Sequence, residues 1–241
     1  MKAATQIIDL TVQLRDELAG LYFSDPVSLV YQPLDYAWSG YREYIERYMN
    51  GRKRVVFLGM NPGPFGMAQT GVPFGEVAAV KDWMGIETVI QRPVHEHPKR
   101  PIDGFACKRS EVSGRRLWGL FAEKFMSADA FFEHHAVLNY CPLVWMTVSG
   151  ANVTPDKIRA VEIEPVETAC LKHLAAVLEV LQPEFAIGVG AFAEERLRRA
   201  IRMNHQEMVI GKVLHPSPAS PAANRGWAAA ATLQLEKQGI W

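Results

Sequence analysis

The run Val55-Val56-Phe57-Leu58 passes directly into Gly59-Met60-Asn61-Pro62-Gly63-Pro64-Phe65-Gly66, and no other stretch constrains the chain as much. Four apolar residues bounded by glycine and proline read as a buried strand that hands over to a loop. Glycines at 59, 63 and 66 carry no Cβ, so the backbone can approach a planar ligand closely. Pro62 and Pro64 stiffen the same loop. A second stiff turn, Gly71-Val72-Pro73-Phe74-Gly75-Glu76, follows a few residues on and presents an aromatic ring. One such turn is ordinary at a strand exit; two in succession favour a site.

Apolar spacing sorts the rest of the chain into alternating elements. Helices are predicted over residues ~6–19, from Tyr41 to Met49 with Gly51 closing the end, over Glu76 to Met84, and from Leu117 through Phe125. Further helices are predicted from Val166 to Leu181, over Glu194 to Met203, and from an N-cap at Asn224 to about Gln238. Strands are predicted at Arg54 to Gly59, His135 to Asn139, Phe185 to Gly190 and Met208 to Leu214, while the Pro-rich and polar residues 86–113 read as loop. Strands alternating with helices need crossovers that cover both faces of a sheet. The expectation is an α/β fold, a three-layer α/β/α sandwich with a central four-stranded parallel sheet, built as one domain over residues 1–241.

In such sheets ligands bind at the carboxyl ends of the strands. Asn61, Asn139 and His215 each follow an apolar run closely, so this fold would bring them to one rim from distant parts of the chain. Two amides that read donor and acceptor edges, a histidine near neutrality and the plane of Phe74 suit recognition of a neutral heterocycle and stabilisation of a leaving anion. Glu76 is the one acid in the two main motifs.

Other chemistries fit less well. There is no Walker lysine for phosphoryl transfer and no GxSxG for serine hydrolysis, and Gly188-Val189-Gly190 lacks the third glycine of a dinucleotide fingerprint. Cys107, Cys141 and Cys170 form no CxxC pair, which argues against a disulfide framework and against four-cysteine metal sites. No metal and no cofactor is expected. No apolar run approaches the ~20 residues that span a bilayer, so no membrane association is expected and an intracellular location is, cytoplasm or nucleoid in a bacterium and nucleus in a eukaryote.

The formal net charge is zero but the charge is segregated. Between Gln91 and Arg116 stand seven cations (Arg92, Lys99, Arg100, Lys108, Arg109, Arg115, Arg116) and three anions (Glu96, Asp103, Glu111), whereas residues 1–50 carry four cations and seven anions. A basic loop of this kind can serve as a nucleic-acid footprint.

Residues Gly59 to Glu76, together with Asn139-Tyr140-Cys141-Pro142-Leu143 and His215-Pro216-Ser217-Pro218, resemble the single-strand-selective monofunctional uracil-DNA glycosylase family. The likeness runs from about Tyr36 through His97-Pro98-Lys99-Arg100-Pro101 and Ser110-Glu111-Val112-Ser113-Gly114 to Trp227. It implies the uracil-DNA glycosylase fold and hydrolysis of the N-glycosidic bond of a uracil flipped out of DNA, single- or double-stranded, by a monomer.

The same resemblance implies the site. Asn139 would read the uracil edge, Phe74 would stack on the ring, His215 would donate to O2 and Asn61 would hold the attacking water. Gly59, Met60, Gly63 and Met67 would complete the base pocket, Gly63 leaving room for a 5-substituent where the main uracil-DNA glycosylase family has Tyr. Pro216, Ser217, Pro218, Ala219, Ser220, Asn224 and Arg225, with Lys99 and Arg100, would contact DNA. The chain departs from the vertebrate pattern at Ala219, where an Arg follows His-Pro-Ser-Pro. Three other readings remain open: a non-catalytic binder of damaged bases, a glycosylase mainly for deaminated purines, and a small-nucleoside hydrolase or nucleotide-binding α/β protein, against which the long basic loop counts.

Overall fold

A computed structural model describes residues 2–205 and 207–241. In chain order its elements are α1 (Ala3–Leu18), β1 (Leu29–Tyr31), α2 (Pro33–Tyr36), α3 (Trp38–Tyr48), β2 (Val55–Gly59), α4 (Met67–Thr70), α5 (Val112–Phe125) and α6 (Ala128–His134). There follow β3 (His135–Asn139), β4 (Val144–Met146), β5 (Asn152–Val153), α7 (Ala160–Leu181), β6 (Phe185–Val189), α8 (Ala191–Asn204), β7 (Val209–Val213), α9 (Pro221–Asn224) and α10 (Trp227–Lys237).

The four expected strands form one sheet in the order β3-β2-β6-β7, every pair parallel. All five residues of β2 are buried, as a central strand covered on both faces requires. Phe57 and Ile187 are register partners and so share a face. Phe57 packs against Phe121 of α5 and Phe131 of α6, which places those helices on that face. Gly188, one residue on from Ile187, points the other way, where a Cβ would overlap the backbone of Ala193 and Glu194 in α8. Helix α7 packs against α8, and α1 packs on α7. The result is three layers, as expected.

The core on the first face is aromatic. Phe121 stacks on Phe131 at 4.4 Å, Trp118 meets Phe131 edge-on at 6.0 Å, and Tyr48 stacks on Phe132 at 4.1 Å. Each such pair contributes about 0.5–1.5 kcal/mol beyond the area it buries. Cys141 and Cys170 are buried free thiols within the core, and Cys107 is partly exposed.

Several expectations need correction. Asn224 does not cap the last helix: α10 starts after Gly226, while Asn224 ends the short α9, whose cap is Ser220, with Oγ accepting from Ala223 N at 3.3 Å. The short helix expected over Glu76 to Met84 is present but widens into a π turn over Ala79–Trp83, where Met84 N donates to Ala79 O at 3.1 Å. Helix α7 begins at Ala160, ahead of Pro165, instead of after it. Helix α6 and a second sheet of β1, β4 and β5, antiparallel throughout, are not among the expected elements. Among the described residues no helix is long and apolar enough to cross a membrane.

Candidate active site

Three strand exits build the site. Gly59 and Asn139 are register partners at the ends of β2 and β3, and the pairing continues beyond the strands, Tyr140 N donating to Gly59 O and Cys141 N to Met60 O, each at 2.9 Å. Val189 and Val213 pair at the ends of β6 and β7, and Gly190 N donates to Val213 O. Gly190, at φ 93°, packs flat against the His215 imidazole, 3.2 Å from where its Cβ would lie to the His215 Cβ. Asn61, Asn139 and His215 therefore line one cavity of about 270 Å3 with Met60, Gly63, Met67 and Phe74.

Asn139 and Phe74 meet because Gly59 lies beneath them. A Cβ at Gly59 would overlap the Phe74 ring and lie 2.6 Å from Asn139 Oδ1. Asn139 Nδ2 donates to Met67 Sδ at 3.4 Å, which puts Oδ1 on the Gly59 side. Phe74 is itself strained, at φ 53°. Its backbone is clamped: the carbonyl accepts from Trp118 Nε1 at 3.1 Å, and Gly114 packs so closely on that carbonyl that a Cβ would overlap it. Trp118 thus joins the aromatic core to the ring that faces the cavity.

Asn61 Nδ2 donates to Leu143 O at 3.2 Å, so its orientation is fixed by the chain just before β4. Oδ1 is buried and has no hydrogen-bond partner among the described residues. It is an acceptor held in readiness. His215 Nδ1 accepts from Ser217 N at 3.1 Å, so the neutral ring carries its proton on Nε2. Burial lowers the His215 pKa, which keeps the ring neutral near physiological pH.

The loop after His215 is stapled to α5. Arg116 donates through Nη1 to Pro216 O at 2.8 Å and through Nη2 to Asn224 Oδ1 at 2.9 Å, and Asn224 Nδ2 donates to Pro218 O at 2.9 Å. Ser217 and Pro218 line the cavity, Pro216 is buried beneath them, and Ala219 and Arg225 are exposed. Ser220, Asn224, Arg225, Lys99 and Arg100 stand outside the cavity lining, as does Gly59, whose part is to leave space. Lys99 is exposed and Arg100 half-buried.

Within the basic stretch the charges differ in kind. Arg92 pairs with Glu96 at 3.1 Å, and Arg116 is the staple just described. His97 is buried, Nε2 against Thr147 O at 3.0 Å and Nδ1 accepting from Lys99 N at 3.1 Å, so it holds the loop instead of facing a ligand.

The acid at the cavity is Glu111, not Glu76. Glu76 is buried and receives Ala79 N at 3.1 Å. Glu111 caps α5, one oxygen accepting from Ser113 N at 3.2 Å and the other from Gly114 N, and it lines the cavity with Ser113, Asn152 and Thr154. Burial pushes its carboxyl up, against the pull of those amides. Glu111 lies in an aperiodic loop, so the one cue to it in the sequence is an acid standing just before an apolar helical run.

Comparison with known proteins fits this geometry. The family model of the uracil DNA glycosylase superfamily matches residues 46–235. The single-strand selective monofunctional uracil DNA glycosylase of Bos taurus is 47% identical over 229 residues, 95% of this chain and 84% of the relative. That of Rattus norvegicus is 46% identical over 237 residues, 98% and 85% respectively. The crystal structure of Pedobacter heparinus SMUG2 shares the fold, with a TM-score of 0.66 at 17% identity over 99% of this chain and 95% of that one. With the rim geometry and these relatives together, the chain belongs to the single-strand-selective monofunctional uracil-DNA glycosylase family, within the uracil-DNA glycosylase superfamily.

Proposed function

We propose that this protein excises uracil, and 5-substituted uracils such as 5-hydroxymethyluracil, from DNA by hydrolysis, leaving an intact abasic strand. The observation that carries the reading is the convergence of Asn61, Asn139 and His215 around the plane of Phe74. A flipped uracil stacks on Phe74 and offers N3–H and O4 to the Asn139 amide. As the C1′–N1 bond breaks, its electron pair moves onto the base, and the neutral His215 donates from Nε2 to the negative charge that develops at O2. Asn61 Oδ1 accepts from a water that attacks C1′, an oxocarbenium-like sugar being electrophilic enough for positioning to suffice, and the proton the water then sheds ends, by way of solvent, on the departing uracil anion.

Gly63 supports the wider substrate range, because the cavity wall is open there: a Cβ built on it would have no neighbour within 4 Å. The lack of a lyase step is supported by Lys212, the amine nearest in sequence to His215, whose Nζ is held by Glu194 at 2.9 Å. Extruding a base costs a few kcal/mol, less from a single strand, and stacking on an aromatic returns roughly 1–3 kcal/mol. Ala219 cannot fill a vacated base stack, which favours single-stranded substrates.

The test is a panel of single- and double-stranded oligonucleotides carrying uracil, 5-hydroxymethyluracil or hypoxanthine. The reading expects alkali-labile sites at both pyrimidines, faster in single strands, with no adduct trapped by borohydride. Cleavage confined to hypoxanthine, or binding without cleavage, would overturn it.

A further inference from the structure

Phe65 sits between the cavity-lining Gly63 and Gly66, and two guanidiniums of the basic loop pack on its ring. The Arg109 carbon Cζ lies 4.5 Å from the ring centroid and that of Arg100 5.5 Å. Stacking on an aromatic face fixes the plane of a guanidinium without neutralising it, so its N–H edge stays available to an anion. A carboxylate partner would consume the charge, as Glu96 does for Arg92. Among the described residues neither Arg100 nor Arg109 has one; Arg109 is exposed, whereas Arg100 spends Nη1 on Lys99 O at 2.7 Å and has its Nε buried, which leaves Nη2 as its free donor.

The arrangement is built, not incidental. Gln69, wholly buried, donates from Nε2 to Pro64 O at 2.9 Å and to Pro101 O at 3.0 Å, the residues next to Phe65 and Arg100. Its Oε1 accepts from Asp103 N at 2.9 Å and Gly104 N at 3.1 Å. Every hydrogen-bonding position of that amide is used, and the effect is to weld the pocket loop to the basic loop. Tyr31 OH donates to Arg100 O at 2.8 Å and Arg100 N to His97 O at 2.9 Å, which fixes the same residue from the other side. Groups held this firmly lose little entropy when a ligand arrives.

We propose that Phe65, Arg100 and Arg109 form a preorganised clamp for backbone phosphates of the DNA strand that flanks the flipped nucleotide, with Gln69 setting its distance from the base pocket. It deepens the glycosylase reading and rests on it for the identity of the strand. The clamp gives the protein a hold on one strand that does not depend on the loop at Ala219.

The test is fluorescence-anisotropy binding of undamaged single-stranded DNA across a salt series, which involves no base chemistry. Every phosphate of a single strand that a variant no longer neutralises should reduce the slope of log K against log salt by about 0.7. For R100A/R109A the reduction should be about twice that, and R92A should match the wild type. F65L keeps every charge yet should bind more weakly. R109K, which keeps the charge without the planar stack, should also bind more weakly and shows whether F65L has merely disturbed the loop.

Wild-type slopes for the double variant, equal losses for R92A and R109A, or wild-type binding by both F65L and R109K would each overturn the clamp. Failure of the wild type to cleave uracil would instead overturn the reading of the substrate, and the slopes would still decide the clamp.

Discussion

The main-chain amide of Ser217 donates to Nδ1 of His215 at 3.1 Å and thereby fixes which face of the imidazole carries the proton. The consequence is a neutral donor at Nε2, kept neutral by burial, which on the proposed mechanism meets charge that develops on the base as its bond to the sugar breaks. His215→Ala should lower the single-turnover rate on uracil by about 10²–10³-fold, the usual cost of one such donor. The loss should be smaller on 5-fluorouracil, whose anion needs less help. Equal losses on the two bases, measured by single-turnover kinetics, would separate His215 from the leaving group.

Gly63 has no positive φ to protect and open space before it, so Gly63→Tyr should fold normally. A phenol at that point of the cavity wall would occupy the space beside C5 of the base. Cleavage of 5-hydroxymethyluracil should fall by roughly 10–200-fold relative to uracil, the range that shape exclusion supplies. Rates measured on both bases with the variant check this; an unchanged ratio would place the wall elsewhere.

Two further histidines make stability pH-dependent. Burial lowers both His135 and His173 to about 4; His135 Nδ1 lies 2.9 Å from Phe131 O, and His173 Nε2 is 3.2 Å from Thr11 Oγ1. With folded values below the unfolded 6.5, the unfolded chain binds more protons between those limits, so stability is fully present above about pH 6.5 and falls as pH drops toward 4. Each histidine accounts for as much as roughly 3 kcal/mol. Urea unfolding at a series of pH values should show this decline; a flat profile from about 6.5 to about 4 would contradict the buried neutral state.

Much of the molecule is legible because parallel strands covered on both faces read as unbroken apolar runs. Val55–Leu58, His135–Leu138 and Phe185–Val189 can be placed for that reason, and the sheet then carries Asn61, Asn139 and His215 to one rim. Short elements are not legible. The strands Val144–Met146 and Asn152–Val153 are two or three residues long, and the first pairs with Leu29–Tyr31, distant in the chain. Helix α6 is only seven residues long, so its buried Ala128, Phe131 and Phe132 give the i, i+3, i+4 spacing once, too short a run to stand out.

The polar hubs are hidden for another reason. Gln69, His97 and Glu111 act through backbone groups of distant loops or of a helix start, and composition does not encode such partners. Residue type alone suggests a helix cap at Asn224, whereas its amide serves Arg116 and Pro218.

The proposed reading of the base rests on the Asn139 amide, which is held by Met67 on one side and by the space Gly59 leaves on the other. Asn139→Asp replaces the donor toward O4 by an acceptor, leaving buried groups unpaired at about 1–3 kcal/mol or more. The most direct measurement is single-turnover conversion of a uracil-containing single-stranded oligonucleotide to an alkali-labile abasic site by wild type and Asn139→Asp side by side. The wild type should convert the uracil and spare cytosine, and the variant should lose most of its uracil activity. A wild type that leaves the uracil in place, or an Asn139→Asp variant that cleaves it at the wild-type rate, would contradict the account.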